Sequence, residues 1–123
     1  MPDPSGGDAT IAIVGPCASG KSTLAIRLVA EGYRAHQIAQ EHSYVPDMWQ
    51  IFSAPDILIF LDSTFEDSQR RKPLDWTQQD HAEQQRRLAH ARKYCDIYIN
   101  TTGLTAEVVA QRALSELKRL LPD

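Results

Sequence analysis

Lys21 and Ser22 close the run Gly15-Pro16-Cys17-Ala18-Ser19-Gly20-Lys21-Ser22, in which a glycine, four residues and Gly-Lys-Ser follow one another. This is the phosphate-binding (Walker A) loop pattern, and each residue type in it answers a chemical need. Successive backbone N–H groups can wrap a β-phosphate, and the N-terminus of a following helix adds its partial positive charge. Gly15 and Gly20 permit backbone angles and a close approach that a Cβ would block. Lys21 is expected to reach the β- and γ-phosphates, while the Ser22 hydroxyl takes a place on Mg²⁺. Such a match arises by chance in only about 0.4% of chains of this length, which sets it above a glycine-rich turn whose lysine merely faces solvent. Cys17 occupies a loop position that tolerates many residues. Oxidation of a thiolate formed there, near the helix N-terminus, would block nucleotide binding.

Other residues offer less specific chemistry. Asp62 ends an apolar run, and two roles stay open for it: holding a water on Mg²⁺, or capping a helix that starts near Thr64. Gln40-Glu41-His42-Ser43 lies just past the second strand, at the carboxyl edge where open parallel sheets bind ligands. There Glu41 can serve as an acceptor-orienting base or a metal partner, and His42 can titrate near neutrality, with an ordinary polar loop as the alternative. His36 reads as packed or surface structure. His81 and His90 are nine residues apart, not the three or four that joint metal binding on one helix face requires. Trp49 and Trp76 read as packing residues, with the further option that Trp76 covers a bound base. Arg86, Arg87, Arg92 and Lys93 read as solvated helix charge.

An alternation of strands and helices must position these groups. Residues 10–14 are apolar on both faces, as a buried central parallel strand requires. A helix from about Gly20 puts Leu24, Ala25, Leu28 and Val29 on one face, with Gly32 as its left-handed stop. Residues 33–38 make a weak second strand. Pro46, Met48, Trp49, Ile51 and Phe52 suggest a short helical turn that tucks aromatic surface under the sheet. Residues 56–61 form the clearest strand, residues 65–71 a helix and residues 72–77 a loop. A long polar helix over 78–94, with only Ala82, Leu88, Ala91 and Cys95 as its apolar stripe, belongs at the periphery. Residues 96–100 supply a fourth strand. Thr105 caps the last helix, with Glu107 near its positive end and Val109, Ala113, Leu117 and Leu120 on its buried face. The prediction is an α/β fold with a reduced parallel sheet of about four strands and right-handed crossovers. Residues 1–9 read as a flexible lead-in and residues 10–123 as one domain.

Composition excludes other classes. With 123 residues, 42% of them hydrophobic and 24% charged, the chain has room for one modest core and no second domain. No stretch approaches the ~20 apolar residues that cross a bilayer, and the first residues lack the basic and apolar regions of a secretion signal, so neither a membrane nor export is expected. Cys17 and Cys95, the only cysteines, suggest neither a metal cluster nor a disulfide framework, and a reduced cytoplasmic setting is expected. The net charge of −3 argues against nucleic acid as a partner, although the balance divides into −6 over residues 1–69, +4 over 70–93 and −1 over 94–123. The positive segment can meet phosphates or be a solvated helix face. It lacks the recurring aromatic and basic residues of a base-stacking platform.

The chain resembles the P-loop kinases of small molecules, the group that contains adenylate, cytidylate, shikimate and adenylylsulfate kinases. The resemblance rests on Gly15 to Thr23, on residues 57–62 with Arg70 and Arg71, and on residues 94–105. It implies a P-loop NTPase-type three-layer fold and the cofactors ATP and Mg²⁺. Gly15, Pro16, Cys17, Ala18, Ser19, Gly20, Lys21, Ser22 and Thr23 would then hold the nucleotide, with Ser22 and Asp62 serving the metal. It also implies a mobile lid whose arginines close on the transferring phosphate, a role carried to Arg70 and Arg71, and a loop bordering the base, carried to Thr101, Thr102 and Gly103. Two departures are visible. About seventeen residues separate the second strand from the strand at Asp56, too few for a helix, a strand and another helix, so one strand is expected to be missing. The lid shrinks to residues 72–77. Two readings follow: a compact kinase that transfers the γ-phosphoryl of ATP to an unidentified small acceptor near Glu41 and His42, with Lys21, Arg70, Arg71 and Asp62 catalytic, or a nucleotide-binding sensor or partner-binding module with weak chemistry. A switch GTPase is disfavoured by the absence of an Asn-Lys-x-Asp signal after the last strand.

Overall fold

Hydrophobic side chains on both faces make β1 (Thr10–Val14) and β3 (Ile57–Asp62) the centre of the molecule, because a strand covered on each side can bury residues of both faces. A computed structural model of the chain describes residues 9–71 and 77–121. The expected lead-in, apart from Ala9, and the expected loop with Trp76, apart from Thr77, lie outside the described residues. With β2 (Arg34–Gln37) and β4 (Ile97–Asn100), the two central strands form one all-parallel sheet in the order β2-β1-β3-β4. Ile13 stands opposite both Gln37 and Ile59, and Asp62 opposite Asn100, so the carboxyl ends of all four strands share one edge.

Strand alternation divides the core in two. Ile11, Ile13, Ile57, Ile59, Leu61, Ile97 and Ile99 pack on one face against α1 (Lys21–Ala30) and α6 (Ala106–Leu120). Ala12, Val14, Leu58 and Phe60 pack on the other, where Trp49 of α2 (Met48–Ser53) and Leu88 and Ala91 meet them. Helices therefore flank both faces of the sheet. Helix α3 (Phe65–Arg71) follows β3, and α4 (Gln78–Arg87) and α5 (Ala89–Tyr94) precede β4.

Four local expectations are corrected. Val29 is 55% exposed rather than on the buried face of α1, which is formed by Leu24 and Leu28 together with Lys21. Gly32, at φ 98°, ends that helix as anticipated, and the Tyr33 N–H closes the turn on Leu28 O at 3.0 Å. The predicted helix over 78–94 is broken at Leu88, whose amide is shared between Gln84 O and Gln85 O, and it is not peripheral, because Gln84, Leu88 and Ala91 are buried. Trp49 is buried as expected, but Phe52 is 82% exposed and Ile51 is also outside, so the segment hides one aromatic ring rather than an aromatic surface. Arg87 and Arg92 are not free helix charges. The first lies 4.2 Å from the Tyr44 ring centre, and the second pairs with Asp62 at 3.1 Å.

Candidate functional site

The loop between β1 and α1 is shaped by its neighbours. A Cβ on Gly15 would come within 2.1 Å of the Leu61 carbonyl oxygen and 2.8 Å of Ser19 Oγ, so β1 can lie this close to β3 only with glycine there. Ala18 (φ 62°) and Gly20 (φ 100°) both take left-handed conformations, which curl residues 15–22 back on themselves, and the Ser19 N–H bonds Pro16 O across the turn. Helix α1 then starts at Lys21 with no side-chain cap and no acidic residue in its first turn. Its leading amides, at the positive end of the helix dipole, are left facing the loop.

Lys21 is only 7% exposed, and its ammonium donates to Gly15 O at 2.9 Å, Pro16 O at 3.2 Å and Glu41 Oε2 at 2.8 Å. Glu41, 4% exposed, sits in a 3₁₀ turn over Gln40–His42 at the carboxyl edge of β2. That turn is braced by the fully buried Gln40, whose Oε1 accepts from the Trp49 N–H at 2.9 Å and whose Nε2 donates to Val45 O at 2.8 Å and Arg87 O at 3.3 Å. A carboxylate and an ammonium buried apart would each cost several kcal/mol; together they offset one another. The second oxygen of Glu41 is buried without a hydrogen-bond partner among the described residues.

An open cleft of about 680 Å³ lies over the loop. Its floor is residues 17–23, its polar rim Gln37, Glu41 and Arg71, and its apolar wall Leu104, Ala106 and Val109. Arg71 is a strut as well as a cleft group. It pairs with Asp67 at 2.9 Å, donates to Ser19 O at 3.3 Å and Thr101 Oγ1 at 2.9 Å, and also reaches the carbonyls of Thr101 and Leu104. The start of α1 is thereby tied to the connection between β4 and α6.

The sequence-predicted residues divide accordingly. The structure brings together the loop from Cys17 to Thr23, Glu41 and Arg71 on one cleft, with Gly15 and Pro16 supplying the carbonyls that hold Lys21. Arg70 does not line it; its side chain is 73% exposed and meets Asp67 at 3.3 Å. Thr101 is fully buried beneath Arg71, Thr102 Oγ1 accepts from the Thr64 N–H, and Gly103 turns the chain at φ 76°, so none of the three borders the cleft. Asp62 also lies apart. It points to the face of α4 and α5, accepting from Tyr98 Oη at 2.6 Å, Arg92 at 3.1 Å, Gln85 Nε2 at 3.0 Å and the Ser63 N–H at 2.9 Å. Nor does it cap α3, because Thr64 Oγ1 accepts from the Asp67 N–H. Burial and then the bond to Asp62 push the Tyr98 phenol up to about 12, since both favour the protonated form.

Sequence reasoning missed Gln37, Gln84, Leu104 and Ala106. Gln84 accepts from the Cys17 N–H at 3.0 Å and donates to Cys17 Sγ at 3.2 Å, which fixes α4 to the loop. Its signal was a glutamine one helical turn before Leu88 on the apolar stripe. Leu104 and Ala106 carried none beyond being apolar at the mouth of α6. Arrangements of this kind, with curled amides, a buried lysine, an arginine and an apolar wall, can take a ligand that is polyanionic at one end and flat and apolar at the other. No family model and no curated protein matches the chain.

Proposed function

We propose that the chain is a P-loop protein that binds Mg-ATP and transfers its γ-phosphoryl to a small acceptor. The observation that carries this reading is the uncapped N-terminus of α1 behind a loop curled by Ala18 and Gly20, with the Lys21 ammonium buried in it. A helix start without acidic side chains, next to a lysine ammonium, is suited to an anion such as a phosphate. The cleft volume falls in the range of sites for small ligands, and Leu104, Ala106 and Val109 give a base an apolar surface.

Each residue then has a task. The amides of Ala18 and of residues 20–22 hold the phosphate chain, the Ser19 N–H being held by Pro16 O. Lys21 and Arg71, the two basic residues among those lining the cleft, neutralise charge that develops on the transferred group. Ser22, exposed on the cleft floor, and Glu41, the carboxylate lining it, are the groups that would hold Mg²⁺ directly or through water. Bound Mg²⁺ supplies neutralisation of the β- and γ-phosphate oxygens. Glu41 also stands where it can orient or deprotonate an acceptor hydroxyl once Lys21 turns to phosphate. Asp62, engaged by four donors on another face, stands outside this arrangement.

A second reading, a nucleotide sensor without efficient turnover, is favoured by the single arginine on the cleft, Arg70 facing solvent instead. Calorimetric titration with Mg-ATP and Mg-GTP, followed by product analysis against a metabolite mixture, tests both. Saturable binding with ADP formation that Ser22→Ala and Lys21→Ala suppress supports the kinase, and saturable binding with negligible turnover supports the sensor. Absence of heat with any triphosphate would overturn the reading altogether.

A further inference from the structure

Cys17 Sγ lies 3.6 Å from His42 Nε2, and His42 Nε2 lies 3.8 Å from Glu41 Oε2. One ligand atom from each of these three residues falls within 4.8 Å of the others. In a tetrahedral zinc site, with Zn–S of about 2.3 Å and Zn–N of about 2.0–2.1 Å, sulfur and nitrogen stand about 3.6 Å apart and nitrogen and oxygen about 3.4 Å apart. The sulfur–nitrogen edge already has that length, the nitrogen–oxygen edge, drawn to the Oε2 that also holds Lys21, is about 0.4 Å too long, which the rotation of an exposed imidazole can take up, and the sulfur–oxygen edge is within 4.8 Å. We infer that Cys17, His42 and Glu41 form a site for one thiophilic divalent cation of the zinc class.

Two observations beyond proximity point to a ligand. Glu41 Oε1 is buried and has no hydrogen-bond partner among the described residues, whereas Oε2, the oxygen that stands 3.8 Å from His42 Nε2, already holds Lys21 at 2.8 Å. The carboxylate therefore keeps one acceptor free for a cation or a water while Lys21 holds the other. Gln84, in turn, grips Cys17 twice, accepting from its amide and donating to its sulfur, as an outer-shell residue does when it orients a thiolate ligand. Sulfur and imidazole select zinc-like ions over Mg²⁺. On binding, the Cys17 thiol gives its proton to solvent, His42 coordinates through neutral Nε2, and no electron moves. Three protein ligands leave the fourth position to water or an anion. The site goes beyond the nucleotide reading and does not rest on it, because the ligand set is complete without a nucleotide. Where both hold, zinc competes with Lys21 and Mg²⁺ for Glu41 and so regulates the loop.

The test is a Co²⁺ titration of the full chain without nucleotide, followed by optical absorption, with Zn²⁺ as the displacing ion. The expected result is a thiolate-to-cobalt charge-transfer band with tetrahedral visible bands, saturating at one equivalent and erased by Zn²⁺ but not by Mg²⁺. Cys17→Ser removes the charge-transfer band. His42→Ala, at an exposed side chain, weakens binding by at least about tenfold, as loss of even an outer-shell partner commonly does. Cys95→Ser leaves the signal whole. Absence of the band, its survival in Cys17→Ser, its loss in Cys95→Ser or unchanged affinity in His42→Ala overturns the site. If Cys17→Ser fails the circular-dichroism check of folding, the His42→Ala affinity decides alone. Because no triphosphate is present, failure here leaves the calorimetric result with Mg-ATP untouched.

Discussion

Before any ligand arrives, Lys21 already has three oxygen partners, two of them carbonyls of its own loop. Removing one side of its buried pair with Glu41 strands a charge, and breaking such pairs commonly costs about 3–5 kcal/mol. Lys21→Met should therefore lower unfolding stability by about 3 kcal/mol, and adding Glu41→Gln should restore most of it; denaturant melts of the single and double variants measure the difference. Additive losses would show that the pair is not coupled. At this scale the loop was legible, because a glycine-rich phosphate motif demands particular residue types at fixed spacing. The partner of its lysine was not, since Glu41 reaches it from the far end of β2, through a turn whose shape depends on Gln40 bonding to the Arg87 carbonyl, 47 residues along the chain. Arg70 and Arg71 are indistinguishable as letters. Only the helical phase of α3 turns Arg71 toward Ser19 and Thr101 and leaves Arg70 outside.

Helix termini and strand ends carry the next tier of consequences. Thr105 Oγ1 accepts from the Val108 N–H at 3.2 Å, capping the helix that supplies the apolar wall of the cleft, so Thr105→Ala should cost about 1 kcal/mol in a thermal or denaturant melt. The Tyr98 phenol on β4 is stacked on Phe60 and bonded to Asp62, and its proton is retained up to about 12 against an ordinary value near 10. The unfolded chain gives up that proton first. Stability from this group is thus complete below pH 10 and is lost as pH rises from 10 towards 12. In an ultraviolet phenolate titration one tyrosine should ionise late, and Tyr98→Phe should delete that late step. Residues 57–62 were legible from their apolar run and α6 because apolar periodicity and the Thr105 cap agree; α3 was placed, but its cap is Thr64 rather than Asp62. The break at Leu88 was not, since nothing in the polar run from Gln78 shows that Gln84 and Gln85 will be pulled in opposite directions, one to Cys17 and the other to Asp62.

For the molecule as a whole, alternation of strand and helix was enough to anticipate four parallel strands, and seventeen residues before Asp56 were enough to leave a strand out. The order β2-β1-β3-β4 was beyond reach, because it depends on which side each crossover passes rather than on any local run. If Mg-ATP binds the native state alone, a concentration a hundred times its Kd should add about 2.7 kcal/mol. For a chain of this size that raises the melting temperature by on the order of 5–10 °C in a scanning melt, a gain that Ser22→Ala should diminish. That same strand order leaves β2 with no described strand beyond it. A bare rim of this sort is an invitation to pair with another molecule, and here Arg34, His36 and Gln37 stand exposed along it. Charge and polar bulk at that border oppose edge-to-edge pairing, so the strand with the weakest apolar pattern in the sequence is one suited to resist zippering onto a second copy.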